Sequence, residues 1–468
     1  MAHPMRLYNS LTRRVDPLEP IDAGQVTIYT CGSTVYRYAH IGNLRTYLFG
    51  DLLRRTLAYL GYGVLYVKNI TDVGHMRHDL TDSGADRVEQ AAIDEGKSPT
   101  EIADFYTAAW LDDERAINML PPDVMPKATD HIPDMIAMIE TLLRRGLAYR
   151  VGGTVYYDVG AFPGYGRLSG QRVEATEPGH RVEVEVDKRN PQDFALWKVA
   201  EPGRIMKWAS PWGEGFPGWH IECSAMSMKY LGERFDIHTG GIDLKFPHHE
   251  DEIAQSEGAT GHRVVSVWMH GEFLTLDDAK MAKSAGNIIR VSELPQKGFT
   301  PLEFRYLALT AHYRSKLDFT EHAMQAAASG LRRLRRAVAE AGTDHASVDL
   351  AAEPMAGYRA RFVEAISDDL AMPAAVAVAH AVAADADLGD GQRRALLLDF
   401  DRVLGLDLTA PADEVGELPE GAAELLSGRA DARARRDYAT SDQLRDELAA
   451  LGVEVRDTPA GQVATVRR

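Results

Sequence analysis

The 468-residue chain has only two cysteines, Cys31 and Cys223, 192 positions apart, and each lies within a run of chemically capable residues. Cys31 opens CGSTVYRYAHIGN directly after a β-rich stretch, and Cys223 closes GWHIEC. His248 and Glu252 follow in FPHHEDE, four positions apart and so on one face of a helix. Two thiolates, one imidazole and one carboxylate make a four-ligand set of the kind Zn²⁺ takes. The alternative for either cysteine alone is a buried free thiol packed as a small apolar group.

A second group of residues suits phosphate. HIGN, His40 to Asn43, falls at a strand-to-helix turn, where helix N-terminal amides favour anions. Gly42 has no Cβ and would let a flat base approach the backbone, while His40 could donate a hydrogen bond to a phosphoryl oxygen. Some 240 residues later, KMAKSAGN places Lys280 and Lys283 three apart beside a polar loop, a pattern suited to a mobile phosphate clamp. Each motif alone is weak. A surface histidine at a helix start and a solvated basic turn are the plainer readings.

The elements that must position these groups are legible in outline. Residues 25–72 read as a βαβ unit: QVTIYTC, a helix with Leu44, Leu48, Leu52, Leu53 and Leu57 at helical spacing, then VLYVKNIT. A nucleotide site at the carboxyl edge of such strands is the default for open α/β sheets. Residues 86–121 and 130–147 read as helices, and 150–215, with GGTVYYDV, RVEVEV and many Gly and Pro, as an inserted β-containing domain. FDIHTGG returns to the α/β pattern; the chain is then Ala/Leu/Arg-rich and helical from 302 to about 406. TAPADEVGELPEG reads as a linker, and 422–468 as a small terminal module.

Composition sets further bounds. Hydrophobic content of 45% and charged content of 26% are those of a globular protein, with no apolar run long enough to span a bilayer. The N-terminus lacks a signal-peptide core and two cysteines make no disulfide framework, so a cytoplasmic location is expected. A net charge of −17 argues against indiscriminate polyanion binding. Residues 301–468 carry 20 basic against 28 acidic side chains, so any nucleic-acid contact there needs a segregated face. No lysine lies beyond Lys316, leaving arginine to make phosphate contacts, with clusters at Arg332, Arg333, Arg335 and Arg336 and at Arg433, Arg435 and Arg436.

HIGN and KMAKS resemble the two signatures of class I aminoacyl-tRNA synthetases. LYNSLTRR, YTCGSTVYRYAHIGN, NITDVGHM, KRNPQDFALWK, FPGWHIECSAMSMKYLG, HTGGIDLKFPHHEDEIAQSE, KMAKSAGNI and the tail RARRDYATSDQLRDELAALGVEVRDTPAG extend the likeness. In order and spacing they resemble the cysteinyl-tRNA synthetase family over nearly the whole chain. The resemblance implies an α/β fold: a Rossmann-type class I synthetase catalytic domain with an insertion, then a C-terminal helical domain and a small anticodon-binding module. The expected boundaries are 1–125 and 216–262 for the catalytic halves, 126–215 for the insertion, 263–305 for the KMSKS-type region, 306–407 for the helical domain and 408–468 for the linker and terminal module.

The resemblance also implies roles. Cys31, Cys223, His248 and Glu252 would bind one Zn²⁺; His249 is the neighbouring alternative, but only His248 stands four residues from Glu252. His40, Gly42, Asn43, Lys280 and Lys283 would handle ATP with Mg²⁺, and Asp243 the ribose. Thr71 and Trp219 would flank the amino acid, although a strand-end residue and a core aromatic are the bland alternatives. Arg433, Arg435 and Arg436 would contact tRNA. The implied reaction is activation of cysteine and transfer to tRNA(Cys), by a monomer. Ser33, Asn43 and Ala282 depart from the family's usual Pro, His and Ser. A cysteine ligase acting on a small amine, as in mycothiol-type biosynthesis, would share the core motifs but lack a developed terminal module. A non-catalytic RNA-binding relative would be expected to lose a zinc ligand or Lys283.

Overall fold

A computed structural model of the chain describes residues 3–78, 83–170, 188–276, 279–280, 288–342, 348–412, 421–435, 437–458 and 461–466. At its centre lie four parallel strands: β1 (Gln25–Thr30), β2 (Gly63–Lys68), β3 (Phe235–Gly241) and β4 (Val265–Gly271). Their order is β4-β3-β1-β2. Every residue of β3 is buried, as a central parallel strand covered on both faces requires. β4 carries this half of the sheet past residue 262 to Gly271.

Successive residues of β1 serve different cores, because side chains alternate across a strand. Val26 and Ile28 join a cluster that continues through Leu44 and Leu53 into Phe304, Leu334 and Phe400 of the helical region. Tyr29 and Cys31 join the opposite cluster, with Ile132, Trp197, Cys223 and Ile253. One strand thus ties the helical region and the insertion to the same sheet.

The first crossover is α1 (Ile41–Tyr59), about 28 Å long at ~1.5 Å per residue. The helical stretch expected over 86–121 is built as two helices, Arg87–Glu95 and Pro99–Ala116. Gly96 ends the first in a left-handed conformation (φ 64°), and Ser98 with Glu101 caps the second reciprocally. Among the described residues, the stretch expected as an insertion contains a five-stranded antiparallel sheet of Ala148–Val151, Thr154–Tyr157, Phe194–Val199, Trp208–Ser210 and Gly213–Pro217. RVEVEV lies outside the described residues. Two further helices, α2 (Trp219–Leu231) and α3 (His248–Thr260), flank β3 in sequence and supply the side chains described next.

Five helices between Pro301 and Leu404 match the expected helical stretch. Leu406 and Leu408 still belong to their core, so the helical region runs slightly further than 407. The terminal module has helices Ala422–Ala434 and Tyr438–Ala450, a hairpin of Val453–Thr458 and Gly461–Val466, and its own small core around Ala422, Leu448 and Val453. No described helix is long and apolar enough to cross a membrane.

Candidate metal and nucleotide site

Cys31 follows the last residue of β1, Cys223 lies one turn into α2, and His248 and Glu252 open α3. These four donors come from three elements, yet their ligand atoms all lie within 4.8 Å of one another. The two sulfurs are 3.7 Å apart, Cys31 Sγ is 3.5 Å from Glu252 Oε1, and His248 Nε2 is 3.1 Å from the same oxygen. All four side chains are buried. Close backbone packing makes this convergence feasible: a Cβ on Gly32 would stand 1.7 Å from the Asn69 carbonyl oxygen, and one on Gly218 would stand 2.1 Å from that of Ala195.

A second quartet, Cys31, His238, His249 and Glu252, is equally compact. Donor chemistry separates the two. The first has two soft thiolates, which suit zinc. In the second, both nitrogens of His249 are engaged, Nδ1 with His270 at 2.9 Å and Nε2 with Cys31 Sγ at 3.4 Å. His248 Nε2, by contrast, faces only members of its own quartet, 3.1 Å from Glu252 Oε1 and beside Cys223. Its other nitrogen is 2.8 Å from His220 Nδ1, and His220 Nε2 is 3.3 Å from Asp251. A ring oriented through one nitrogen with the other turned into the donor cluster suits a metal-ligating histidine.

The electrostatics agree. Burial pushes the Cys31 thiol well above its ordinary range, with the neighbouring Cys223 adding to the shift. Desolvation opposes ionisation of Cys223 too, but hydrogen bonding with Cys31 and the neighbouring His248 bring it down to about 6. Burial likewise opposes charge on Glu252, yet His238 and His248 hold its carboxyl well below the usual range. Although burial opposes it, Glu252 and Cys223 raise His248 to about 10, so a proton now offsets these two buried anions where a bound cation could take its place.

Beside the cluster opens a cavity of ≈220 Å³, lined among others by Cys31, Ser33, Tyr38, Asn43, His75, Trp219 and Asp243. Trp219 stacks between His75, at 4.0 Å and 9°, and His248, at 4.3 Å and 30°. The floor of the cavity is therefore aromatic on one side and thiol on the other. Thr71 is not part of this lining. It lies behind it, its hydroxyl accepting from Asn69 Nδ2 at 3.1 Å, while Asn69 Oδ1 accepts from the Gly32 amide at 2.9 Å.

His40 and Gly42 do not line the cavity; they form the cap of α1 at its edge. His40 Nδ1 accepts from the amides of Gly42 (3.2 Å) and Asn43 (3.4 Å), and Asn43 Oδ1 accepts from the His40 amide at 3.2 Å. Burial, reinforced by Arg37, lowers His40 to about 4. The ring is thus neutral near pH 7, and with Nδ1 accepting, its proton is on Nε2. Lys280 lies in a short strand, Ala279–Lys280, paired with Leu276 and Thr275. Lys283 and Ala282 fall outside the described residues.

Among the arginines, Arg335 is buried and donates to the Leu406 carbonyl at 3.1 Å, so this member of the first cluster serves packing. Arg433 and Arg435 are exposed at the end of a terminal-module helix, and Arg436 lies outside the described residues. Sequence reasoning missed the supporting histidines His220, His238 and His270 and the orienting Asn69. The available signal was placement: His220 and His238 fall inside GWHIEC and FDIHTGG, motifs already noted, whereas His270, near the end of β4, had none beside it.

Residues 17–329 match the family described as tRNA synthetases class I (C) catalytic domain, and residues 415–463 match the cysteinyl-tRNA ligase anticodon binding domain. The chain belongs to the cysteinyl-tRNA synthetase family. It is 44% identical to the cysteine–tRNA ligase of Chlorobaculum tepidum, covering 98% of each chain. It is 47% identical to cysteine–tRNA ligase 1 of Burkholderia lata, covering 98% of this chain and 96% of that one. Likeness in fold reaches further across the class. A Mycobacterium tuberculosis methionyl-tRNA synthetase in complex with methionyl-adenylate superposes with a TM-score of 0.55 at 15% identity, covering 89% of this chain and 96% of that one. A leucyl-tRNA synthetase from Agrobacterium radiobacter K84, in a ternary complex with tRNA, gives 0.55 at 13% identity, covering 83% and 84%.

Proposed function

We propose that this member of the cysteinyl-tRNA synthetase family is an ATP-dependent cysteine–tRNA ligase that selects its amino acid through a metal held by Cys31, Cys223, His248 and Glu252. The observation that carries the proposal is a buried two-thiol donor set that meets, through Cys31, a cavity whose rim holds the start of α1 and Asp243. A bound Zn²⁺ would take the substrate thiolate as a further ligand, a discrimination against serine that an apolar pocket cannot match.

In the first step the cysteine carboxylate attacks the α-phosphorus of ATP and the bond to pyrophosphate breaks. A carboxylate needs no general base, so the chain's work is positioning and charge stabilisation. Trp219 forms one wall for the amino acid, with Thr71 bracing the strand behind it. His40 donates from Nε2 to a phosphoryl oxygen, Gly42 admits the base, and Asp243 accepts from the ribose hydroxyls. Lys280 and Lys283, with Mg²⁺, complete the phosphate contacts. In the second step a ribose hydroxyl at the tRNA 3′ end attacks the activated carbonyl and AMP leaves. The insertion, 126–215, the region 263–305 and the helices of 306–407 would carry the acceptor arm, and the terminal module with Arg433, Arg435 and Arg436 the anticodon end.

Cysteine-dependent ATP–pyrophosphate exchange, followed by transfer of labelled cysteine to tRNA, tests the reading. Exchange with cysteine and not serine supports it, and exchange without any transfer to tRNA would move the chain to the small-amine ligases.

A further inference from the structure

The cavity has a rim that the activation step leaves unused. Immediately before the cap of α1, Tyr36, Arg37 and Tyr38 line the cavity, and Tyr38 remains 40% exposed. Phe105, on the helix Pro99–Ala116, is 46% exposed beside it. Tyr38, Phe105 and Tyr106 meet edge to face, with centroids 6.0, 5.2 and 5.1 Å apart and planes at 70–86°. Contiguous exposed aromatic surface of this kind marks an interaction site.

The cations around them indicate what. The Arg290 guanidinium stands 4.6 Å from the Tyr38 centroid, and the Lys97 ammonium 4.9 Å from that of Phe105. Arg37 and Arg87 lie 5.1 and 5.4 Å from the Tyr36 ring. Carboxylates hold these groups in place: Glu95 accepts from Tyr106 at 2.6 Å and from Lys97 at 2.9 Å, and Glu293 pairs with Arg290 at 2.8 Å. The Tyr38 and Phe105 rings therefore each have a cation over one face while part of their surface stays exposed, and Tyr38 makes the set contiguous with the cavity.

We infer that Tyr38 and Phe105 form a stacking platform for the unpaired 3′-terminal nucleotide of the tRNA, placing its ribose at the mouth of the cavity. Exposed aromatic surface with cations alongside binds single-stranded nucleic acid without requiring a base-edge code. A platform continuous with the cavity delivers the terminal hydroxyl to the activated carbonyl, whereas a protein partner seated there would obstruct that entry. The inference rests on the ligase reading above and adds to it the residues that orient the second substrate.

The test uses the full chain with Phe105→Ala, Phe105→Tyr and Phe105→Trp, and a tRNA carrying 2-aminopurine in place of its terminal adenine. Phe105 does not line the cavity, so cysteine-dependent pyrophosphate exchange is expected to be unchanged in all three. Phe105→Ala should abolish the fluorescence quenching that stacking causes and raise the KM for tRNA by roughly 5- to 150-fold. The Tyr and Trp variants should restore both. Unchanged quenching and KM in Phe105→Ala would overturn the inference, as would a parallel loss of exchange, which would mark Phe105 as structural. Were the unmodified chain inactive in cysteine-dependent exchange, the ligase reading itself would fall, and the platform with it.

Discussion

His40 and Asn43 cap one another: each side chain accepts the other's backbone amide, at the start of the helix that borders the cavity. Where the family commonly has histidine, Asn43 therefore supplies a helix-capping carbonyl. His40→Asn keeps a good capping residue but removes the Nε2 proton. It should lower adenylate formation by roughly 10²–10³-fold with little change in thermal stability. Asn43→His should cost about 1 kcal/mol of stability through the lost cap while leaving activation unchanged or raised. Stopped-flow adenylate formation and thermal melts check both.

The depressed pKa of His40 has a consequence for stability. Its folded value is about 4, while in the unfolded chain it lies near ~6.5. Between those values the unfolded chain holds a proton that the folded chain does not, so His40 makes stability rise with pH across this window. Its contribution is complete above the upper value and lost as pH falls through the lower. His40→Gln should flatten the melting temperature against pH over that range.

For the metal, purified protein should contain about one zinc per chain. His248→Ala should lose it, and His238→Gln should retain it, if the two-thiol quartet is the site. Cys223→Ser should raise the KM for cysteine and narrow discrimination against serine. Elemental analysis with paired cysteine and serine exchange assays checks these outcomes; metal-free protein with full cysteine activation would contradict them.

Asp51 lies midway along α1 and forms a buried ion pair with Arg305 at 2.8 Å, also accepting from Arg55 at 3.0 Å and from the Leu120 amide at 2.9 Å. Arg305 continues to the carbonyls of Ile117 and Leu404, binding the catalytic half to the helical region. Asp51→Ala would leave Arg305 buried without its counter-charge. A loss of about 3–5 kcal/mol is expected in denaturant unfolding.

How much of this was legible beforehand follows from what each feature depends on. The βαβ unit around α1 was readable because its period and turn signals are local. The convergence of Cys31, Cys223, His248 and Glu252 was readable because cysteine is scarce and His248 and Glu252 share a helical spacing. Of the competing quartet only His249 was legible, as the neighbour of His248; His238 was not, since it approaches Cys31 only through the crossing of β3 and α3. The break at Gly96 was hidden inside a run with helical character on both sides. Arg335 matched its basic neighbours in sequence, and only packing against Leu406 distinguishes it. Asn43 as a cap could be recognised only once His40 was seen to occupy the N-cap position itself.

The most direct measurement is transfer of labelled cysteine to tRNA by the full chain and by a chain ending at residue 412, each alongside cysteine-dependent pyrophosphate exchange. A cut there spares Leu406 and Leu408, which belong to the helical core. The account predicts equal exchange by both chains, efficient transfer by the full chain and strongly weakened transfer by the shortened one. Exchange without transfer by the full chain, or undiminished transfer by the shortened chain, would contradict it.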